Sequence, residues 1–290
     1  MRLRRSLLFV PGSTPERIAK AIATAADGVI LDLEDAVAPA EKGRAREWVV
    51  AALRRADFRG KERIVRINPL DGPYGEDDVA AVVPAGPDAL LLPKASAPEQ
   101  VGRLDDAVAR REQAAGLEAG RVRLHLIIET AAGVLAAPAL ARASARNAAL
   151  FYGAGDLSRE TRARLVPGRA SELYVLGHIV LAARAAELEA LDAPYFDLAD
   201  EAGLETHTRI AAELGYDGKA VIHPRQIDAV NRLFTPSAEA IAHARRVLAA
   251  YAEAEAAGSG ALALDGQFID AVHVAMARET LARAELAGIA

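Results

Sequence analysis

The sequence has no cysteine and no long apolar run. Without cysteine there is no disulfide, no thiolate zinc site and no cysteine nucleophile, which suits a reducing cytoplasm. No apolar stretch reaches the roughly 18 residues of a membrane-spanning helix. The apolar run behind the basic start, residues 7–10, is too short for a secretory signal. We therefore expect a cytoplasmic protein that does not enter a membrane.

An excess of basic charge is also missing. Lys plus Arg total 35 against 40 Asp plus Glu, which gives a formal net charge of −5. Nucleic-acid binding needs a concentrated basic surface, so we expect no nucleic-acid partner. The 52% of hydrophobic and 26% of charged residues are instead the balance of a globular protein.

Short apolar runs alternate with longer amphipathic stretches along the chain, a pattern typical of βα units. Eight runs are present, at residues 7–10, 29–31, 64–67, 89–92, 124–128, 149–152, 189–191 and 220–222. The alternation predicts an α/β fold, a (β/α)8 TIM barrel. A doubly wound parallel sheet is the alternative, because the number of strands does not decide whether a sheet closes.

The chain continues beyond the predicted barrel. After a further helix at 235–257, the sequence Gly258-Ser259-Gly260 forms a flexible joint. We therefore divide the chain into a catalytic barrel domain, residues 1–257, and a C-terminal segment, residues 258–290.

Polar side chains follow seven of the eight predicted strands, at the barrel end where parallel barrels place their active sites. They are Asp32, Glu34, Asp35, Arg66, Asn68, Lys94, Glu129, Asp156, Asp192 and His223. A helix cap or a solvated loop explains any single one of them. Their number favours a functional site.

Two of these carboxylates follow adjacent predicted strands. Glu129 ends the run LHLIIE, and Asp156 follows FYGAG, whose glycines let the backbone approach a ligand. Two oxygen ligands, with neither Cys nor a paired His motif, suit Mg²⁺, which leaves its other positions to water and substrate. Two ordinary helix caps are the alternative.

Arg66 lies within the strand sequence RIVRIN, where a charge must be paired or face a polar cavity. Facing a cavity, its guanidinium would clamp a substrate carboxylate with two hydrogen bonds. A structural ion pair with Glu34 or Asp35 is the alternative.

Several motifs then match a known family in order. They are RSLLFVPG at 5–12, LDLEDAV at 31–37, RIN at 66–68, LPK at 92–94, IET at 128–130, GAGDL at 153–157 and GYDGKAVIHPRQI at 215–227. Together they resemble the citrate lyase β-subunit-like branch of the HpcH/HpaI aldolase superfamily, from about residue 4 to 275. The resemblance implies a homotrimeric TIM barrel that uses Mg²⁺, or Mn²⁺ in its place.

The resemblance also implies roles for individual residues. Glu129 and Asp156 hold the metal, and Arg66 binds the substrate carboxylate or carbonyl. Glu34 and Asp35 lie beside the metal and assist catalysis. The resemblance further implies that the substrate contacts Gly153, Ala154 and Gly155 as well as Glu129 and Asp156. It also implies that Arg5 contacts the CoA phosphates.

The C-terminal segment carries one more match. Residues 265–271, DGQFIDA, resemble the lid of malyl-CoA and citramalyl-CoA lyases. There the lid closes over the site of a neighbouring subunit and its aspartate acts as acid and base, a role that passes to Asp270. Phe268 stands where the lid often has Met, and Gly155 stands where GAxDL often has Glu. These two departures leave the particular substrate open.

We therefore expect an enzyme, a Mg²⁺-dependent carbon–carbon lyase. Its substrate would be a 2-hydroxyacyl- or 3-hydroxyacyl-CoA thioester such as malyl-, citramalyl- or citryl-CoA, split into an acyl-CoA and a 2-oxo acid. The alternatives are the β-subunit of a citrate lyase complex acting on an acyl carrier, and an aldolase of free 2-oxo acids. A CoA- or metabolite-binding protein with little turnover is the alternative from a different class.

Overall fold

Eight parallel strands form the centre of the protein in a computed structural model, which describes residues 2–289. They are β1 (Ser6–Pro11), β2 (Gly28–Asp32), β3 (Glu62–Arg66), β4 (Ala89–Leu92), β5 (Arg123–Ile128), β6 (Asn147–Tyr152), β7 (Glu189–Asp192) and β8 (Gly218–Val221). Strand β8 pairs with β7 and also with β1, where Leu7 lies opposite Ala220. The sheet is thus a closed barrel, which confirms the predicted TIM barrel and excludes the doubly wound sheet.

Helices follow the strands, as the alternating pattern predicts. They are α1 (Pro15–Ile22), α2 (Lys42–Arg55), α3 (Gly75–Val82), α4 (Pro98–Ala115), α5 (Ala131–Ala141), α6 (Ala154–Thr161), α7 (Leu173–Arg184), α8 (Glu201–Glu213), α9 (Ile227–Phe234), α10 (Ala238–Ala256) and α11 (Ala271–Leu286). No helix among residues 2–289 combines the length and the apolar character needed to span a membrane.

Side chains fill the inside of the barrel, so it is a packed core and not a pore. The core cluster includes Leu7, Ile30, Ile64, Leu91, Phe151 and Leu191, each at most 2% exposed. At the amino ends of the strands, Arg4 donates two hydrogen bonds to Glu62, at 2.6 and 2.8 Å. His125 Nε2 lies 3.3 Å from Glu62 Oε1, and both side chains are buried. This end of the barrel is closed by ion pairs, and the opposite end is left for chemistry.

Contacts between residues divide the chain after position 231. The first unit, residues 4–231, is the barrel, and the second is residues 232–289 with Arg2 and Leu3. In the second unit α10 and α11 pack with an antiparallel hairpin, β9 (Leu262–Leu264) and β10 (Gln267–Ile269), around Val247, Ile269 and Val274. The boundary that we placed after residue 257 falls inside this unit, and the docking of 258–290 on a neighbouring subunit stays a prediction.

Candidate active site

A cavity of about 400 Å³ opens at the carboxyl ends of the barrel strands. We call it the barrel cavity. Its charged lining is Asp32, Asp35, Arg66, Glu129, Asp156 and Arg159. Its apolar wall includes Phe9, Ile127, Phe151, Pro194, Phe196 and Ile222. Charge on one side and apolar groups on the other are typical of a small-molecule site.

Glu129 follows β5 directly and is only 4% exposed. Its Oε1 accepts a hydrogen bond of 2.8 Å from the backbone N–H of Lys94. Burial raises the pKa of Glu129 to about 7, and the carboxylates of Glu34 and Asp156 act in the same direction. The backbone hydrogen bond and Arg66 oppose this shift without cancelling it. Burial is thus the main cause of the raised pKa of Glu129.

Asp156 lies in the first turn of α6 and lines the same cavity. Its side chain is 28% exposed and forms an ion pair of 3.1 Å with Arg159, which is itself 78% exposed. The strand ends of β5 and β6 thus bring Glu129 and Asp156 to one cavity, as the sequence predicts. Gly153 and Gly155 also line it, whereas Ala154 lies outside its lining.

Gly153 is needed because Glu129 occupies the space of a side chain there. A Cβ added at position 153 would lie 2.4 Å from Glu129 Cβ and 2.6 Å from its Oε2. The two carboxylates can approach one cavity only because this residue has no side chain.

Replacing Gly153 with alanine should displace the Glu129 carboxylate. We expect Gly153→Ala to lower kcat/KM by about 10-fold or more, since small misplacements of a reacting group are costly. The control is Gly102→Ala in α4, where an added Cβ would meet nothing within 4 Å and which is outside the cavity lining. Steady-state kinetics of both variants measure the difference, and equal activities would refute the steric argument.

Arg66 ends β3 and is held by carboxylates from the β2–α2 loop. Its Nε and Nη2 donate hydrogen bonds of 2.7 and 2.6 Å to the two oxygens of Asp32. Its Nη1 lies 2.9 Å from Glu34 Oε2 and 3.8 Å from Asp35 Oδ2. The guanidinium carbon also lies 5.1 Å from the centre of the Phe9 ring. Arg66 thus forms the ion pair with Glu34 that the sequence offered as an alternative, and it also lines the cavity. Its clamp on a substrate carboxylate stays a prediction.

Glu34 lies behind the cavity lining, 3% exposed. Its Oε1 accepts a hydrogen bond of 2.5 Å from Lys94 Nζ, and burial raises its pKa despite this contact and that of Arg66. Lys42 Nζ donates to the carbonyls of Leu33 and Glu34, at 2.7 and 2.6 Å, which fixes the loop backbone. The side chain of Asp35 is 58% exposed and lines the cavity.

The donor set fits a hard divalent cation. Glu129 and Asp156 offer carboxylate oxygens to the same cavity. Within residues 2–289 no group of three or more His, Cys, Asp or Glu side chains is arranged to hold a metal. Two carboxylates with the other positions left to water and substrate is the arrangement that Mg²⁺ commonly takes.

Asp32 and Lys94 are parts of this site to which we assigned no role from the sequence. Asp32 is 1% exposed and also accepts the backbone N–H groups of Glu34 and Ala36, at 2.9 and 3.1 Å. It therefore orders the loop and Arg66 together. Its position at the end of β2, directly beside Arg66 in the strand register, is the feature that could have indicated this role.

A second set of charges is buried between β7, β8, α8 and the loop before α7. Arg169 donates to both oxygens of Asp192, at 2.9 and 2.8 Å, and Lys219 Nζ donates to Asp192 Oδ2 at 2.6 Å. These three side chains are fully buried. His207 Nδ1 lies 2.8 Å from Lys219 Nζ, and Glu172 accepts from Arg169 at 3.0 Å. Within the Arg-rich sequence 159–169, Arg169 is thus fully buried, whereas Arg159 is 78% exposed.

Acid should destabilise this cluster through His207. Burial, together with Lys219, lowers the pKa of His207 to about 4, while an unfolded histidine titrates near 6.5. Between these pH values the unfolded chain binds the extra proton, so folding loses stability as the pH falls, by up to about 3 kcal/mol. We expect His207→Gln to lose less stability than the wild type between pH 7 and 4.5 in urea unfolding. His223→Gln, outside the cluster, is the control, and an unchanged pH dependence in His207→Gln would contradict the assignment.

Two predicted site residues are outside the lining of the barrel cavity: Arg5 at the amino end of the barrel and Asp270 in the second unit. Arg5 precedes β1 at the amino end of the barrel, where its Nε and Nη2 donate to Asp27 at 2.9 and 2.8 Å. Arg5 therefore lies at the opposite end of the barrel from the cavity, and its predicted contact with the CoA phosphates gains no support from this position. Asp270 caps α11 in the second unit, accepting the N–H of Val272 at 3.0 Å, and lies 2.7 Å from His273 Nδ1. Its catalytic role stays a prediction.

Comparison with known proteins gives concordant matches. Residues 5–224 match the family model described as HpcH/HpaI aldolase/citrate lyase. The citrate lyase subunit beta of Escherichia coli K12 is 38% identical over 288 residues, which is 99% of this chain and 95% of the relative. A (3S)-malyl-CoA thioesterase of Cereibacter sphaeroides is 39% identical over 281 residues, 97% of this chain and 94% of the relative.

A solved structure matches over nearly the same length. The CitE protein of Mycobacterium tuberculosis, in complex with magnesium, acetoacetate and coenzyme A, superposes with a TM-score of 0.79. It is 35% identical, and the match covers 97% of each chain.

Proposed function

The chain belongs to the HpcH/HpaI aldolase/citrate lyase family, and we propose that it cleaves a hydroxyacyl-CoA thioester into an acyl-CoA and a 2-oxo acid. It is an enzyme, a carbon–carbon lyase. The observation that carries the proposal is the pair Glu129 and Asp156, which line one cavity with Arg66. Malyl-, citramalyl- and citryl-CoA are the candidate substrates.

Glu129 and Asp156 would hold Mg²⁺, with Glu34 and Asp35 close by. Bound there, the ion would polarise the carbonyl and hydroxyl oxygens of the acid half and offset charge that develops in the transition state. Arg66, fixed by Asp32 in the orientation described above, presents positive charge to the substrate carboxylate. A donor that is already in place costs no reorganisation at the moment of reaction.

The remaining steps fall to other parts of the chain. The apolar wall with Phe9, Ile127 and Phe151 would lower the amount of water around the reacting atoms, which strengthens the electrostatic contacts there. We assign proton delivery at the enolate carbon to Asp270, from the lid of a neighbouring copy, as the family resemblance implies. Homotrimer formation and cytoplasmic location stay predictions.

The test is a turnover assay with malyl-, citramalyl- and citryl-CoA, each with Mg²⁺ and with EDTA. Metal-dependent release of a 2-oxo acid together with an acyl-CoA, measured by mass spectrometry, would support the lyase. Absence of turnover across the panel would overturn it and favour a free-acid aldolase or a partner-dependent subunit.

Thioester hydrolysis is a second candidate, because relatives named (3S)-malyl-CoA thioesterase are as similar as the citrate lyase subunits. The two reactions differ in their sulfur product. Hydrolysis frees the CoA thiol, whereas the lyase reaction keeps it esterified. Since this chain has no cysteine, any thiol detected with a colorimetric disulfide reagent comes from CoA. Equal amounts of thiol and hydroxy acid, without a 2-oxo acid, would select hydrolysis.

A further inference from the structure

A second cavity, of about 460 Å³, lies beside the barrel cavity. We call it the side cavity. It is formed by the loop before α7, the loop after β7 and the start of α8. Pro194 and Phe196 line both cavities, and Ala154, next to Gly155, also faces the side cavity. The loop after β7 is therefore the wall that the two cavities share.

Phe196 is a large apolar side chain that packing does not bury. It is 52% exposed, although it stands in the concave part of the barrel end. Its ring lies next to the turn that carries Asp156, since a Cβ on Gly155 would be 3.5 Å from Phe196 Cζ. A group extending from a ligand held at Asp156 thus reaches this ring first.

The backbone before Phe196 is held from several sides. Lys219 Nζ donates to the carbonyl of Ala193, and Gln226 Nε2 donates to the carbonyl of Tyr195 at 2.8 Å. The Tyr195 hydroxyl donates to Asp200 Oδ2 at 2.6 Å, and its ring centre lies 5.3 Å from that of His207. These contacts fix the position from which the Phe196 ring projects.

The walls of the side cavity suit an alkyl chain. Leu165, Val166 and Pro167 supply apolar surface. The exposed charges at its edge are acidic, from Asp197 and Asp200, so an anionic group is disfavoured there. An apolar chain meets no such penalty and gains by leaving water.

We propose that Phe196 is a specificity-determining residue that limits the alkyl substituent on the 2-oxo acid. Its ring separates the barrel cavity, where the acid is held, from the side cavity, where a longer substituent would fit. This proposal rests on the proposed lyase function. A small substituent stays on the barrel side of the ring, and a longer one collides with it.

The test measures condensation, the reverse reaction, with acetyl-CoA and linear 2-oxo acids of two to six carbons in the presence of Mg²⁺. The readout is kcat/KM for each acid in the wild type and in Phe196→Ala. One methylene in a tight pocket is worth about 10-fold in selectivity. We therefore expect the ratio of the five-carbon to the three-carbon acid to rise at least about 10-fold in the variant.

Leu198→Ala is the matched control. Leu198 is 48% exposed in the same loop and lines neither cavity, so its loss should leave the ratio unchanged. Phe196→Trp, which preserves an aromatic ring, should lower the ratio of the five-carbon to the three-carbon acid. This variant tests the proposal independently if the alanine variant folds poorly. A uniform fall across all acids in Phe196→Ala would overturn the proposal. A wild type that is silent on every acid would overturn the lyase function itself.

Discussion

Asp156→Asn is expected to lower kcat/KM of the metal-dependent reaction by about 1,000-fold or more, a loss of about 4 kcal/mol of transition-state stabilisation. The substitution removes one of the two carboxylates that would hold the cation, which leaves Glu129 as the remaining member of the pair. Titration calorimetry with Mg²⁺ should show a matching loss of binding.

Stability should change little in the same variant. Asp156 is 28% exposed and forms an ion pair with the exposed Arg159, a kind of contact worth about 0–1 kcal/mol. The melting temperature should therefore stay near that of the wild type. Glu160→Gln, on the exposed face of the same helix, is the charge control and should keep full activity. Turnover of Asp156→Asn near the wild-type level would remove Asp156 from the metal site.

The barrel itself could be predicted from local pattern because each strand is buried on both faces. The run Ala89–Leu92 coincides with β4, and Pro98–Ala115 coincides with α4. Strand β3 begins at Glu62, two residues before the predicted run at 64–67, whereas β7 begins at Glu189 as the run at 189–191 predicts. The partner of both glutamates is Arg4, which is distant in sequence. Closure of the sheet also rests on a distant pair, β1 with β8, so the pattern alone left the doubly wound sheet open.

The position of a candidate site residue could be predicted where it directly follows one strand. It could not be predicted where it depends on a partner elsewhere in the chain. Glu129 and Asp156 follow apolar runs and were assigned from position alone. From the sequence we expected Arg66 to pair with Glu34 or Asp35. Its Nη1 does lie 2.9 Å from Glu34, but its Nε and Nη2 both donate to Asp32. Side chains alternate along a strand and its extension, so the choice among three nearby acids depends on the loop geometry. The burial of Arg169 depends likewise on Asp192, 23 residues further along the chain.

Arg66→Met is expected to harm both stability and activity. The substitution leaves Asp32, which is 1% exposed, without the guanidinium that binds both of its carboxylate oxygens. Removing one member of a buried pair costs about 3–5 kcal/mol, because the other charge stays buried and uncompensated. Arg66→Lys should recover only part of this, since an ammonium cannot match both carboxylate oxygens. Urea unfolding of the three proteins gives the order of stability.

A double variant separates the structural role of Arg66 from its role toward the substrate. In Asp32→Asn/Arg66→Met neither charge of the pair remains, so part of the lost stability should return relative to Arg66→Met. Activity should not return, because the cavity has lost the cation that faces the substrate carboxylate. We expect kcat/KM to stay at least about 100-fold below wild type, in line with the loss of a charged transition-state contact. Recovery of activity together with stability would mean that Arg66 only orders the loop at Asp32, and the carboxylate clamp would then have to be sought at Arg159.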